Sequence, residues 1–425
     1  MLEEILDIRN VQKAFKQVTA NKGAGGIDGM QTDELRDYLN TNWQTLRASI
    51  LEGTYRPQEV KKVEIDKENG GGKRMLGIPT VIDRLITQSI AQWLSPQYEA
   101  EFSNHSYGFR AGRNAHQAVY QAQTNLNDGY EWVVELDLEK FFDRVNHDRL
   151  MSVVARKIED KRTLKLLRAY LNCGMMENGV VIERKEGTPQ GSPLSPLMSN
   201  IVLNELDKEL EARGHRFVRY ADDCSIYVKS EKSATRVLTT LTESIEKKLK
   251  LKVNRTKSKV SRPMESTLLG FSFYRSEKGW EIRIAPKPLR KIKEKMKEQT
   301  QRKAPGKVAD KIKKMEATIV GWVNHFRIAK AKSRMEELDS WVRMRLRMGI
   351  WKQWKRPKTR WTNLKRSGIN PGKAYEWANS RKGYCRTARS PILQRALNNE
   401  YLTLQGYIGF SRHYYWKTTH QTKLF

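Results

Sequence analysis

The spacing of apolar and polar positions divides the chain into helix-period and strand-period stretches. From residue 3 to about 50 the apolar positions keep helical spacing. Then "YRPQEVKKVEID" and "KRMLGIP" flank "KENGGG", which predicts a β-hairpin with a glycine-rich tip. Helical text returns in "TVIDRLITQSIAQWLSP". "WVVELDL" is an apolar run without alternation, the pattern of a covered strand, and "DRVNHDRLMSVVARKI" goes back to helix. "FVRYA" and "CSIYVKS" predict paired strands around two aspartates, with "SATRVLTTLTESIEKKLKLKV" as the helix that follows. Strands and helices alternate without the strict rhythm of a doubly wound sheet, so the expected class is mixed α+β.

A break rich in Lys, Pro and Gly falls at "QRKAPGKVAD" (301–310). Beyond it Ile312, Met315, Ile319, Trp322, Val323 and Phe326 recur at helical spacing, and Met335, Leu338, Val342 and Leu346 continue the pattern in a second helix. This predicts a helical bundle with a basic outer face. A second break lies at "KRPKTR" (355–360), and the Gly-, Tyr- and Trp-rich remainder shows no period.

Composition narrows the classes. The 425 residues allow two to four domains, and 38% hydrophobic with 30% charged residues suits a globular chain. No apolar run is long enough to cross a bilayer, so no membrane partner is expected. "MLEEILDIRN" carries acids and lacks the features of a secretory signal. Cys173, Cys224 and Cys385 are far apart and form no CxxC pair, which predicts neither a disulfide framework nor a cysteine zinc site. A cytoplasmic protein is expected. The formal charge of +31 is unevenly spread: residues 1–284 carry 44 Lys/Arg against 39 Asp/Glu, and residues 285–425 carry 35 against 9. The basic third also holds seven of the eleven tryptophans. Cations interleaved with aromatics suit a phosphate backbone and stacked bases. A solvated basic face, or one turned to anionic lipid, is the blander reading.

The chemistry centres on "FVRYADDCSIYV" (217–228), where Asp222 and Asp223 sit side by side between strands. Two unpaired carboxylates held together raise a pKa, and a divalent cation relieves both. A third acid, Asp137, ends the covered strand of "WVVELDLEKFFDRV". Mg²⁺ prefers such carboxylates together with water and phosphate oxygens. Two ions about 3.5–4 Å apart can activate a 3′-hydroxyl and stabilise departing pyrophosphate. Aspartates that merely favour a turn are the alternative, and the strand-end Asp137 weighs against it.

These residues carry a resemblance. "YADD" after "DLEKFFDRV" and "GTPQGSPLSPLMSN" resembles the palm of a reverse transcriptase, specifically of the group II intron maturase family. Further blocks appear in that family's order. "GAGGIDGM" (23–30) resembles an N-terminal block that retroviral enzymes lack. "YRPQEVKKVEID" and "KRMLGIPTVIDRLITQSI" resemble the fingers, "SYGFRAGRNAHQAV" the next block, and "LLGFSFY" (268–274) the primer-grip region.

The resemblance implies a right-hand polymerase: fingers and palm over 1–285, a helical thumb or maturase region over 286–355, and a basic DNA-binding region over 356–425. It implies two Mg²⁺ ions, with Mn²⁺ a possible substitute, held by Asp137, Asp222, Asp223 and the Leu138 carbonyl. Phe142 would be the gate that collides with a ribose 2′-OH, Phe141 being core. Gln190 would face the nascent base pair and Gly191 the primer–template. Lys62, Lys73 and Arg74, chosen from a group that includes Lys61, would meet the triphosphate, and Lys257 would assist pyrophosphate departure. Arg110, Arg113, Gly270 and Phe271 would contact template or primer; His116 would bond locally. Implied partners are intron RNA, an RNA template with DNA or RNA primer, target DNA and dNTPs. Longer members end in a His-Asn-His nuclease domain with cysteine pairs. Their absence before Phe425 points to the short bacterial subclass, priming from elsewhere, such as nascent strands at replication forks, and nucleoid-associated when on DNA. The resemblance leaves two alternatives: a retron, diversity-generating or defence-linked reverse transcriptase, and a splicing-only RNA-binding maturase.

Overall fold

A strand without polar alternation needs cover on both faces, and one such strand organises the first part of the chain. The structure, a computed structural model, describes residues 1–66, 72–177, 180–184, 186–189, 191–302 and 306–421, without the side chains of Arg74, His420 and Gln421. The strands among the described residues are β1 (Val60–Asp66), β2 (Lys73–Ile78), β3 (Trp132–Leu136), β4 (Met175–Glu177), β5 (Val180–Ile182), β6 (Arg216–Tyr220), β7 (Asp223–Val228), β8 (Lys259–Ser261), β9 (Phe271–Ser276) and β10 (Gly279–Ile284). They form sheets ordered β2-β1-β4-β5, β6-β7-β3-β8 and β10-β9. The chain divides into two compact units, Met1–Ser266 and Thr267–Phe425. With helices and antiparallel sheets mixed in this order, the fold is α+β.

In the first unit β3 lies between β7 and β8, antiparallel to both, with Leu136 opposite Cys224 and Val134 opposite Val260. Every residue of β7 from Cys224 to Val228 is buried, which is why its sequence does not alternate. The helix Glu231–Ser244 begins at Ser230, whose hydroxyl accepts the Ser233 amide, and packs along β3, β7 and β8. Its Ala234, Val237 and Leu241 join Val134, Leu136 and Ile226 in one core. Burying each such leucine contributes roughly 1.5–3 kcal/mol. The helix Ser195–Ala212 packs on β6.

The second sheet contains the expected hairpin: β1 and β2 pair antiparallel, Asp66 opposite Lys73, while its tip (67–71) lies outside the described residues. β4 joins β1 in parallel, and β5 folds back on β4. These two strands were not expected, because three residues each are too few to display a period.

In the second unit β9 and β10 form a hairpin, followed by the helices Pro286–Gln299, Val308–Phe326 and Lys332–Gln353. Ile312, Met315, Ile319, Val323 and Phe326 are buried as their spacing predicts, and Trp322 is half-buried against Phe326. The stretch without a period proves helical: Pro357–Arg366, Pro371–Ala378, Tyr384–Ala388, Pro391–Ala396, Asn399–Leu404 and Phe410–Gln421. Pieces this short make too few turns for a stripe to be legible. Buried Asp339 fastens the last of them, accepting from the Tyr407 hydroxyl (2.8 Å) and the amides of Phe410 (2.7 Å) and Ser411 (2.9 Å). Among the described residues no helix is long and apolar enough to cross a membrane.

Candidate active site

Ala221 and Asp222 alone join β6 to β7, with Tyr220 facing Asp223 as the last pair. Ala221 sits at φ 57°, a left-handed conformation that costs a residue with a Cβ roughly 1–2 kcal/mol. Its surroundings impose that shape. Arg219, wholly buried, donates from Nε and Nη2 to Asp207 (2.7 and 2.6 Å), and from Nη1 to Asn200 Oδ1 (3.0 Å) and the Ala221 carbonyl (2.9 Å). Asn200 in turn donates to the Gly108 carbonyl at 2.9 Å. A Cβ on Gly108 would lie 2.3 Å from the Ala221 nitrogen, so only glycine lets this segment pass against the turn. The Tyr107 amide donates to the Arg219 carbonyl at 2.9 Å. Reading the sequence missed Arg219, Asp207 and Asn200 because partners 12 and 19 residues away leave no periodic signal.

Asp137 directly follows the β3 pair Leu136–Cys224, at the end of the sheet where β7 begins with Asp223. Its amide donates to Ser258 Oγ (3.0 Å), and its carbonyl accepts the Asn254 amide (2.8 Å). The Lys257 ammonium stands 3.4 Å from Asp137 Oδ2. Leu138 is bridged to Val253, and the Glu139 amide donates to the Lys252 carbonyl at 2.8 Å. With the Asp137 carbonyl and Glu139 amide used on that edge, alternation turns the Leu138 carbonyl toward the opposite one.

Asp223 is open by surface area yet ringed by protein atoms. That burial first, then the charges of Asp222, Asp137 and Glu135, push its carboxyl up to about 6, with Lys257 opposing. Among the described residues no group of three or more His, Cys, Asp or Glu side chains already stands in a metal-holding arrangement. The donor chemistry nonetheless fits a hard divalent cation: the groups are all oxygen, and their mutual repulsion is what such an ion would offset.

The remaining expected residues divide. Phe141 is buried and Phe142 half-buried, their rings edge to face at 5.2 Å. Gly191, at φ 130°, has no room for a Cβ, which would come within 2.6 Å of the Gly77 carbonyl. Gln190 and the Arg74 side chain lie outside the described residues. Lys62 and Lys73 share one face of the β1–β2 hairpin by register, Lys62 paired with Glu177 and Lys73 with Glu64, both at 2.6 Å. Arg113 bonds Asn104 Oδ1 at 2.9 Å and covers the Tyr107 ring.

Two expectations need correction. Arg110 is not a template contact: its guanidinium is buried, forks onto Glu99 (2.7–3.2 Å) and donates to the carbonyls of Ser103 and Ser106. Phe271 presents no surface either, being fully buried with its ring 5.0 Å from Phe326 and 5.2 Å from His325. Neighbouring Gly270, at φ 84°, carries the turn that allows this packing; a Cβ there would meet Pro288 and Phe326. Gly270 and Phe271 belong to the second unit.

Residues 65–273 match the family described as "Reverse transcriptase (RNA-dependent DNA polymerase)", and residues 289–368 match "Group II intron, maturase-specific domain". Protein YkfC of Escherichia coli is 33% identical over 288 residues, covering 58% of this chain and 75% of that one. The group II intron-encoded protein LtrA of Lactococcus lactis is 36% identical over 195 residues, covering 46% of this chain and 32% of LtrA. An uncharacterized 91 kDa protein in the cob intron of Schizosaccharomyces pombe is 35% identical over 185 residues, covering 44% and 22%. The chain thus spans three-quarters of the first relative and a third or less of the other two. The order of the two matched regions, on a fold that brings an aspartate pair to the end of a covered strand, makes this chain a member of the group II intron reverse transcriptase and maturase family.

Proposed function

We infer that the protein is an RNA-directed DNA polymerase that adds dNTPs to a primer on an RNA template, and a maturase that binds intron RNA for splicing and retrohoming into target DNA. One observation carries the polymerase reading: the β6–β7 turn sets Asp222 and Asp223 against the end of β3, where Asp137 stands, close enough for their charges to raise Asp223. In this reading the β6-β7-β3-β8 sheet is the palm and the β2-β1-β4-β5 sheet the fingers. Residues 286–355 serve as thumb and 356–425 as the DNA-binding region.

Reverse transcriptases use divalent metal ions; here Asp137, Asp222, Asp223 and the Leu138 carbonyl would hold them, two Mg²⁺ in our reading, with Mn²⁺ able to substitute. Bound there, such ions would lower the pKa of a primer hydroxyl and offset charge on the leaving pyrophosphate. The chain's own groups do the rest. Lys257, 3.4 Å from Asp137, keeps a positive charge beside the acids for the departing phosphates. Phe142 excludes a sugar carrying a 2′-OH. Lys62 and Lys73, now held by Glu177 and Glu64, can exchange those carboxylates for triphosphate oxygens, and Arg74, next to Lys73 in sequence, is read as a further triphosphate contact. Gln190 and Gly191 line the nascent pair, and Arg113 remains a candidate for template backbone.

Primer extension on an RNA template with dNTPs tests the reading. The purified parent should make cDNA and Asp222→Asn should not. A parent that extends nothing, indistinguishable from Asp222→Asn, ends it.

A further inference from the structure

The loop that begins at Gly187 is fastened to the turn bearing Phe142. The Gly187 amide donates to the Val145 carbonyl and the Thr188 amide to the Phe142 carbonyl, both at 2.7 Å. Gly187 sits at φ 86°, and a Cβ there would come within 2.8 Å of the Asp143 backbone, so the two backbones touch with nothing between them. Behind the loop lies His147, first residue of the helix His147–Val154 and 2% exposed. Its Nε2 is 2.7 Å from the Gly187 carbonyl. A carbonyl only accepts, so Nε2 carries the proton. Its Nδ1 lies 3.1 Å from Asn172 Oδ1; with the proton on Nε2, Nδ1 accepts, and turning the Asn172 amide end for end brings its NH2 there to donate.

The other end of the loop is held as well. The Pro189 carbonyl accepts from Ser195 Oγ at 2.7 Å and from the Ser192 amide at 3.2 Å. Gly191 backs onto the Gly77 carbonyl in β2. One hydrogen-bonded stack therefore links a helix start, the Phe142 turn and the loop, with a strand of the other sheet behind it. A satisfied core histidine could do with any acceptor. This one grips the carbonyl next to the amide that holds Phe142.

We propose that His147 is a positioning residue for nucleotide selection: by holding the Gly187 carbonyl it keeps Thr188 bonded to Phe142, and so sets the width of the slot into which the incoming sugar fits. The proposal rests on reading Phe142 as the sugar gate. Misplacement by about 1 Å at a reacting geometry can change rates a hundredfold, so loosening this strap should register in selectivity before stability.

The test is single-nucleotide addition by the full chain, comparing a dNTP with the matching rNTP. The variants are His147→Ala, His147→Gln, Asn172→Ala and Gly187→Ala. In His147→Ala the dNTP KM should rise roughly 5–10-fold with kcat within about twofold, and dNTP-over-rNTP selectivity should fall about tenfold. His147→Gln, whose amide can donate to the same carbonyl, should recover most of both. Gly187→Ala, which forces the loop off the Asp143 backbone, should err in the same direction. Asn172 lies at the surface, so Asn172→Ala reads a weaker version of the effect even should His147→Ala fail to fold. An active parent whose variants keep the parental KM and selectivity, losing only thermal stability, overturns the proposal and leaves the polymerase reading standing. A parent that adds no nucleotide overturns both.

Discussion

The two compact units differ in how their cations are answered. In Met1–Ser266 the decisive cations point inward: Arg219 reaches Asp207 with both side chains fully buried, and the Arg110 guanidinium is buried against Glu99. In Thr267–Phe425 acids are scarce and many cations stand over aromatic rings, a contact the first unit also makes, as Arg113 does over Tyr107. Arg302 and Lys352 flank Tyr384, Arg360 covers Trp351, Lys365 covers Trp361 and Lys382 covers Trp377. Residues 285–425 hold only 9 acids to answer 35 bases. A buried ion pair fixes one geometry and is insensitive to salt, whereas a surface of cations and rings offers a phosphate chain many equivalent footholds. The first unit places atoms with paired charges; the second carries a surplus of cations of the kind that suits a polyanion.

The sharpest break between the two is Asp222→Asn. It should reduce primer extension by about a thousandfold or more, since a metal site supplies several kcal/mol of charge stabilisation. Thermal unfolding should not worsen, because the change removes repulsion from Asp223. Next comes Arg219→Met, which strands Asp207 in the core; breaking such a pair costs about 3–5 kcal/mol, read by denaturant unfolding. The double variant Arg219→Met/Asp207→Leu should regain most of that stability while the Ala221 carbonyl stays unbonded and extension remains depressed. Recovery of activity along with stability would show that the clamp serves folding alone.

Phe142→Ala should raise ribonucleotide use relative to dNTP by about 10–100-fold, the range for one well-placed contact. A ratio equal to the parent's would remove Phe142 as the gate. The smallest effect belongs to the second unit. Lys365→Ala combined with Lys382→Ala should lower the slope of log affinity for RNA against log salt by about two, roughly one per phosphate contact. Extension at saturating primer–template should be unchanged. An unaltered slope would make these cations ordinary solvated charges and erase the contrast.

Legibility followed the range of the interaction. β3, β6, β7 and the helix Val308–Phe326 could be read directly, because strand and helix periods repeat within a few residues. The three aspartates stand out in sequence because each lies at or next to the end of such an element. Arg110 stands in the block "SYGFRAGRNAHQAV", whose resemblance implies a template contact. Its carboxylate, Glu99, is set opposite it only by the fold, and two carbonyls complete the site. Phe271 looked like a grip residue and is core, since its neighbours Phe326 and His325 come from a helix far along the chain.

From its residues alone this chain determined a mixed α+β body, a basic helical end, and three acids at the ends of predicted strands. Local periodicity and short motifs suffice for these, as each depends on neighbours within a turn or a strand. Only the tertiary structure decided which polar groups meet: Arg219 with Asp207 and the turn carbonyl, His147 with Gly187, and Asp339 with the 407–411 segment. A buried donor accepts whatever partner chain closure brings within 3 Å or so, and no spacing rule in a sequence records that choice.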